Sequence, residues 1–124
     1  MSSSDRSTSA FAVNYDGRVF VVRDNSDNGE VGGGTVFHYH QTGDRLTGTY
    51  EGGLIEQGHL VGSVHPDGSL TFVYHHVTTG GELRAGRCES EPTRDDAERL
   101  VLRERWQWFT GDRSKGTSEL VEVD

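Results

Sequence analysis

The chain reads as an all-β protein, an eight-stranded antiparallel up-and-down β-barrel. Three observations predict this. Turn tripeptides and glycine pairs recur at near-regular spacing along 124 residues that include 17 glycines and only two prolines. The segments between them alternate apolar and polar residues with a period of two. No stretch of ten or more residues carries helical periodicity. Short sequential hairpins favour a barrel over a sandwich, which needs longer crossing connections, and closure removes exposed edges. Eight strands leave an interior wide enough for side chains or one small ligand.

Taken in order, residues 1–9 are a Ser/Thr-rich polar tail. Residues 10–15 are either a short extra strand or a lid-like arm, and Asp16-Gly17 is a turn signal. The tail and arm, 1–17, are set apart from a barrel domain over 18–124. The first strand covers about 18–24, before a long Asn/Asp/Gly loop from Asn25 to Gly33. The second (about 34–41) and third (about 45–51) flank the tight turn Thr42-Gly43-Asp44, and Gly52-Gly53 turns the chain into the fourth, about 54–65. Pro66-Asp67-Gly68 ends it. The fifth covers about 69–77 and the sixth about 82–90, joined by Thr78-Thr79-Gly80-Gly81. Glu91–Glu98 reads as a short loop or helical turn, the seventh strand as about 98–110, and the eighth, after Gly111–Gly116, as about 117–123.

Composition narrows the function. The formal net charge of −8 argues against a nucleic-acid or anionic-membrane partner, since both need a basic patch. No apolar run approaches the roughly 20 residues that span a bilayer. The N-terminus has no apolar core of a secretory signal, so the cytoplasm is the default expectation. One cysteine, Cys88, excludes an internal disulfide and a cysteine-based zinc cluster. Gly32-Gly33-Gly34 and Gly111–Gly116 neither match a phosphate-binding loop nor open a helix. No cofactor is implied.

Alternation sorts the faces. On the seventh strand Leu100, Leu102, Glu104, Trp106 and Trp108 form the inward row, with Arg99, Arg103 and Arg105 outside in cross-strand ion pairs. Glu104 then lies among leucines and tryptophans, where a carboxylate is costly without a partner. Leu70, Phe72, Tyr74 and His76 point inward on the fifth strand; Leu46, Gly48 and Tyr50 on the third; Leu54, Gly58, Leu60, Gly62 and Val64 on the fourth, where the glycines leave space. His59, His65 and His75 point outward. On the second strand the parity is ambiguous between Val36, His38, His40 and Phe37, Tyr39, Gln41. On the sixth, neither row is clearly apolar; Arg84 and Cys88 share the inward one.

The run Leu46-Thr47-Gly48-Thr49-Tyr50-Glu51, with Gln107-Trp108 before a turn and a final strand, resembles the avidin/streptavidin family of eight-stranded, calycin-like barrels. The resemblance implies an inward Tyr50 and Trp108, and a register that turns Val36, His38 and His40 inward. It does not extend to the biotin-binding set: the serine after the family's Tyr-Glu is Gly52, an aromatic wall position is His76, and the Ser/Thr-rich ligand strand is the charged Glu82–Gly86. The chain from about residue 18 onward is also similar to small bacterial proteins labelled N-acetylglutamate synthase. An acetyl-CoA enzyme needs a pyrophosphate cradle, commonly at a helix N-terminus, and no strand–loop–helix unit is present to supply one.

His38 and His40 have the spacing of two metal ligands on one strand face, with Asp44 or Glu51 as a nearby carboxylate, but only fragments of a cupin pattern are present, and no metal site is assigned. Structural hydrogen bonding and acid/base work stay open for them. Inward placement of Tyr50, Tyr74, His76, Arg84 and Glu104 beside Trp106 and Trp108 describes a polar, aromatic-walled cavity. Two readings follow. One is a pocket for a small organic molecule, binding through Tyr50, Tyr74, Arg84, Trp106, Trp108 and His40; if catalytic, it performs cofactor-free isomerisation or cyclisation by proton transfer at Glu104, His76 and His38. The other is a non-enzymatic ligand-binding or interaction module with a structural polar core, a homodimer through outer barrel faces being one arrangement open to it. The first predicts that Glu104, His76 and His38 converge on an open cavity; the second, that they pair with each other and leave no void.

Overall fold

The computed structural model describes residues 12–25 and 34–123. Eight strands follow one another: β1 (Val19–Asn25), β2 (Val36–Thr42), β3 (Arg45–Gly52), β4 (Ile55–Val64), β5 (Leu70–Thr78), β6 (Leu83–Arg94), β7 (Leu100–Trp108) and β8 (Lys115–Val123). Each pairs antiparallel with the next, and β8 closes on β1. The predicted meander and closed barrel are what the chain forms. No helix among the described residues is long and apolar enough to cross a membrane.

One strand limit differs from the sequence expectation for an identifiable reason. β6 continues to Arg94 instead of breaking at Pro92. Beyond Ser90 it pairs only with β7, so the missing Pro92 N–H falls where one side of the strand has no ladder to lose. The turn that follows is organised by Asp95, whose Oδ1 accepts from the backbone N–H of Ala97 and Arg99. Those bonds, with the Arg99 guanidinium, hold the Asp95 carboxyl below its ordinary range. Within the arm, residues 12–15 form no strand. Tyr15 is fully buried, its hydroxyl donating to the Gly68 carbonyl at 2.6 Å, and its ring packs on Phe20 and Tyr39. Residues 1–11, which include the whole predicted tail, 26–33 and 124 lie outside the described residues.

The barrel is layered along its axis. At the end where β2 turns into β3, β4 into β5 and β6 into β7, the interior is closed by Tyr15, Phe20, Leu46, Leu70, Leu100, Leu102 and Leu120, all fully buried. Towards the opposite end the inward rows become aromatic. Here cross-strand geometry explains the glycines: Tyr50 faces Gly58, Phe72 faces Gly62, and Tyr74 faces Gly86. The Tyr50 ring lies over Gly58 and the end of the Tyr74 ring over Gly86, while Gly62 admits the backbone and Cβ of Phe72; in this way one ring from β3 and two from β5 share one narrow interior. The space expected from the β4 glycines is therefore occupied by Tyr50 and Phe72.

Outside, Arg103 pairs with Glu119 and Arg105 with Glu89, each directly across a ladder, as the alternation of β7 predicts.

Candidate functional site

The inward row of β7 shows the interior in depth. Trp108 and Trp106 stand at the aromatic end, Glu104 below them, Leu102 and Leu100 at the closed end. Two residues of a strand advance about 7 Å, so Glu104 sits one layer under the tryptophans. The aromatic layer encloses a cavity of about 40 Å³ lined by Phe37, Tyr50, Leu60, Phe72, Tyr74, His76, Cys88, Trp106, Trp108 and Ser118. At roughly 10–15 Å³ per water-sized probe, that is room for about three waters.

Within this wall Tyr50 Oη and His76 Nδ1 share a buried hydrogen bond of 2.9 Å, the tautomer deciding which group donates. Tyr50 also stacks on Phe37, their centroids 4.9 Å apart. His76 and Tyr74 meet Trp108 edge-on at 5.8 and 5.7 Å, and Trp108 touches Trp106 at 5.6 Å. The rings thus hold one another in place, with the Tyr50–His76 bond set among them in an apolar surround.

Below lies a polar waist. Glu104 stands between Ser90 on β6 and Ser118 on β8, both directly opposite it. The Ser118 hydroxyl donates to Glu104 Oε1 at 2.9 Å. Glu104 Oε2, Ser90 Oγ and the hydroxyl of fully buried Tyr39 have no hydrogen-bond partner. Burial raises the Glu104 carboxyl from 4.5 to about 7, against the opposing pull of Ser118 and Cys88. The Cys88 thiol is pushed well up by burial and by Glu104, so it is a neutral wall group and not a poised nucleophile.

The sequence-predicted residues separate into four groups. Tyr50, Tyr74, His76, Trp106 and Trp108 do come together on the cavity. Glu104 is buried, but one hydrogen bond behind it, through Ser118. Arg84 lies opposite His76 at the rim, half-buried, with its guanidinium on Glu82 at 2.9 Å, and does not line the cavity.

His38 and His40 require correction, because neither is on the inner wall. His38 is 42% exposed with Nε2 3.3 Å from Glu51, and His40 is 60% exposed, with Nδ1 3.9 Å from Asp16. Phe37 and Tyr39 are the buried residues of β2. The hairpin register is the physical reason. Thr42 pairs with Arg45 across a two-residue turn, so Phe37 faces Tyr50 and Tyr39 faces Gly48. Residues paired across a ladder share a face, and an inward Tyr50 makes Phe37 inward. The expected convergence of Glu104, His76 and His38 is therefore absent. Among the described residues no group of three or more His, Cys, Asp or Glu could hold a metal ion.

Phe37, Tyr39 and Ser118 were not singled out by the sequence. The two-residue turn carried the signal for the first two. For Ser118, its place two residues before the apolar Leu120 puts it on the inward row.

No curated protein and no solved structure showed a match to the chain. The family model described as avidin-like protein matches residues 13–123, and the closed eight-stranded meander agrees with it, so the chain belongs to the avidin-like family.

Proposed function

We propose that the protein binds a small organic molecule in the aromatic end of its barrel. The observation that carries this reading is the cavity itself: six aromatic rings and the Tyr50–His76 pair surround a space that the core side chains leave unfilled. Tyr50, Tyr74, His76, Trp106 and Trp108 are its contact residues in this proposal, with Arg84 at the entrance. Pockets that hold small ligands share this make-up of apolar walls with a few placed polar groups. Binding is favoured over catalysis because the acid/base groups are divided: His76 pairs with Tyr50, Glu104 with Ser118, and His38 lies outside.

A second reading, a structural polar core with no ligand, is favoured by one observation. Those same groups pair with each other, and the cavity between them is small.

Trp106 and Trp108 supply the test, since both line the cavity and they are the two tryptophans of the chain. A screen of small metabolites read by tryptophan emission and melting temperature should give ligands that shift both. A smaller emission response in Trp108→Phe, abolished when Trp106→Phe is added, supports the pocket. A screen in which no compound moves either signal favours the structural core.

A further inference from the structure

The charges around the cavity speak to what would occupy it. Phe37, Tyr50, Phe72, Tyr74, Trp106 and Trp108 present rings to it, and no lysine or arginine lines it among the described residues. An aromatic face carries partial negative charge and attracts a cation stripped of water. Directly beneath, Glu104 is 7% exposed and its Oε2 has no partner, while the fully buried Tyr39 hydroxyl and Ser90 Oγ are also unpartnered. Ser118 joins the two layers, lining the cavity and donating to Glu104 Oε1. A formal net charge of −8 draws cations to the molecule from outside.

We propose that the cavity accepts the alkylammonium headgroup of an organic cation, held against the rings of Trp106 and Trp108 and faced from the layer below, behind Ser118, by Glu104, which gives up its proton to solvent as the cation enters. This deepens the small-molecule reading above and rests on it. Alkylated ammonium suits the site better than a metal ion, because the wall offers ring faces where a metal needs a shell of oxygen or nitrogen donors. It also suits it better than an anion, which would meet π faces and a buried carboxyl, while the Arg84 guanidinium at the rim is turned to Glu82. The size agrees: a space for about three waters takes a headgroup of a few heavy atoms, with the remainder of the ligand directed to the rim.

Three probes of nearly equal shape separate the possibilities: choline, its uncharged carbon analogue 3,3-dimethylbutan-1-ol, and the anion 3,3-dimethylbutanoate. Titration of the full chain, followed by calorimetry and tryptophan emission, should give choline binding roughly tenfold or more tighter than the alcohol, and no binding of the anion. Glu104→Gln should cut choline affinity by a similar factor and leave the alcohol unchanged. Trp106→Leu should weaken both. Equal or tighter binding of the alcohol overturns the cation assignment and leaves the pocket standing. Failure of all three to bind to millimolar concentration overturns the cation assignment, and the metabolite screen then decides the fate of the pocket. A Glu104→Gln variant that loses choline and alcohol alike would show the carboxyl to be structural only, and would overturn its assigned role.

Discussion

Ser118 donates to Glu104 Oε1 at 2.9 Å across the β7–β8 ladder, and the carboxyl's other oxygen accepts from nothing. That half-satisfied group makes stability depend on pH. The groups facing it are Ser90 and Cys88 of β6, Ser118 of β8 and Tyr39 of β2. Burial raises the folded-state value from 4.5 to about 7. The folded chain therefore holds this proton where the unfolded chain has lost it, and stability falls as pH rises from 4.5 to 7 before levelling. At about 1.4 kcal/mol per unit, the cost at alkaline pH is on the order of 3 kcal/mol. Glu104→Gln keeps an acceptor for Ser118 and carries no charge. It should raise the stability at pH 8 by about that amount and flatten the profile between pH 5 and 7, as measured by urea unfolding across pH. An unchanged slope would show that the carboxyl is solvated or otherwise paired.

Tyr50→Phe tests the upper polar pair. The substitution keeps the ring stacked on Phe37 and deletes the 2.9 Å hydrogen bond to His76 Nδ1. A buried group deprived of its partner costs about 1–3 kcal/mol. Chemical denaturation should register that loss, with an unchanged denaturant slope if the fold is kept. A variant as stable as the parent would indicate that His76 finds a substitute partner at once.

The comparison of β2 with β7 shows what was legible in the sequence. β7 alternates so strongly that its inward row, including the out-of-place Glu104, could be read residue by residue. β2 could not be read alone, because both of its rows contain aromatic rings or histidines of similar size. Its face is decided by pairing: a two-residue turn joins an odd residue of β2 to an even residue of β3, and Tyr50 had already fixed β3. The resemblance register overrode that arithmetic and turned His38 and His40 inward. Glycine positions were legible as gaps, but not as seats for the rings opposite them, since that depends on the stagger between strands. Whether Glu104 and His76 meet depends on depth along the barrel axis, which strand parity does not encode.

Because His38 and His40 lie outside, His38→Ala and His40→Ala should each change stability by less than about 0.5 kcal/mol. Their contacts, to Glu51 at 3.3 Å and Asp16 at 3.9 Å, are exposed pairs of little worth. The proposed pocket should keep its ligand response in both variants. His76→Ala, by contrast, removes a 4% exposed ring that meets Tyr50 and Trp108, and should cost several-fold more. Thermal melts of the three variants side by side would check this ordering; a large loss in either β2 variant would return that histidine to the core.

Gly58 provides the sharpest packing test. A Cβ built there would sit 2.5 Å from Tyr50 Cε2, deep inside van der Waals contact, and ring atoms cannot yield as the tip of a flexible chain can. Gly58→Ala must therefore push the Tyr50 ring away from β4, toward Phe37 and the cavity. Overpacking of this kind costs about 1–3 kcal/mol. The displaced ring should also strain its bond to His76 and narrow the space beside Trp108. Two readouts are expected together: a lower melting temperature, and a weakened response to any ligand of the cavity. Combining Gly58→Ala with Tyr50→Leu removes the colliding ring while leaving an apolar group, and should recover part of the lost stability beyond the sum of the single effects. If Gly58→Ala is neutral by itself, Tyr50 does not rest over Gly58, and the seating of rings on glycines has to be abandoned for this strand pair.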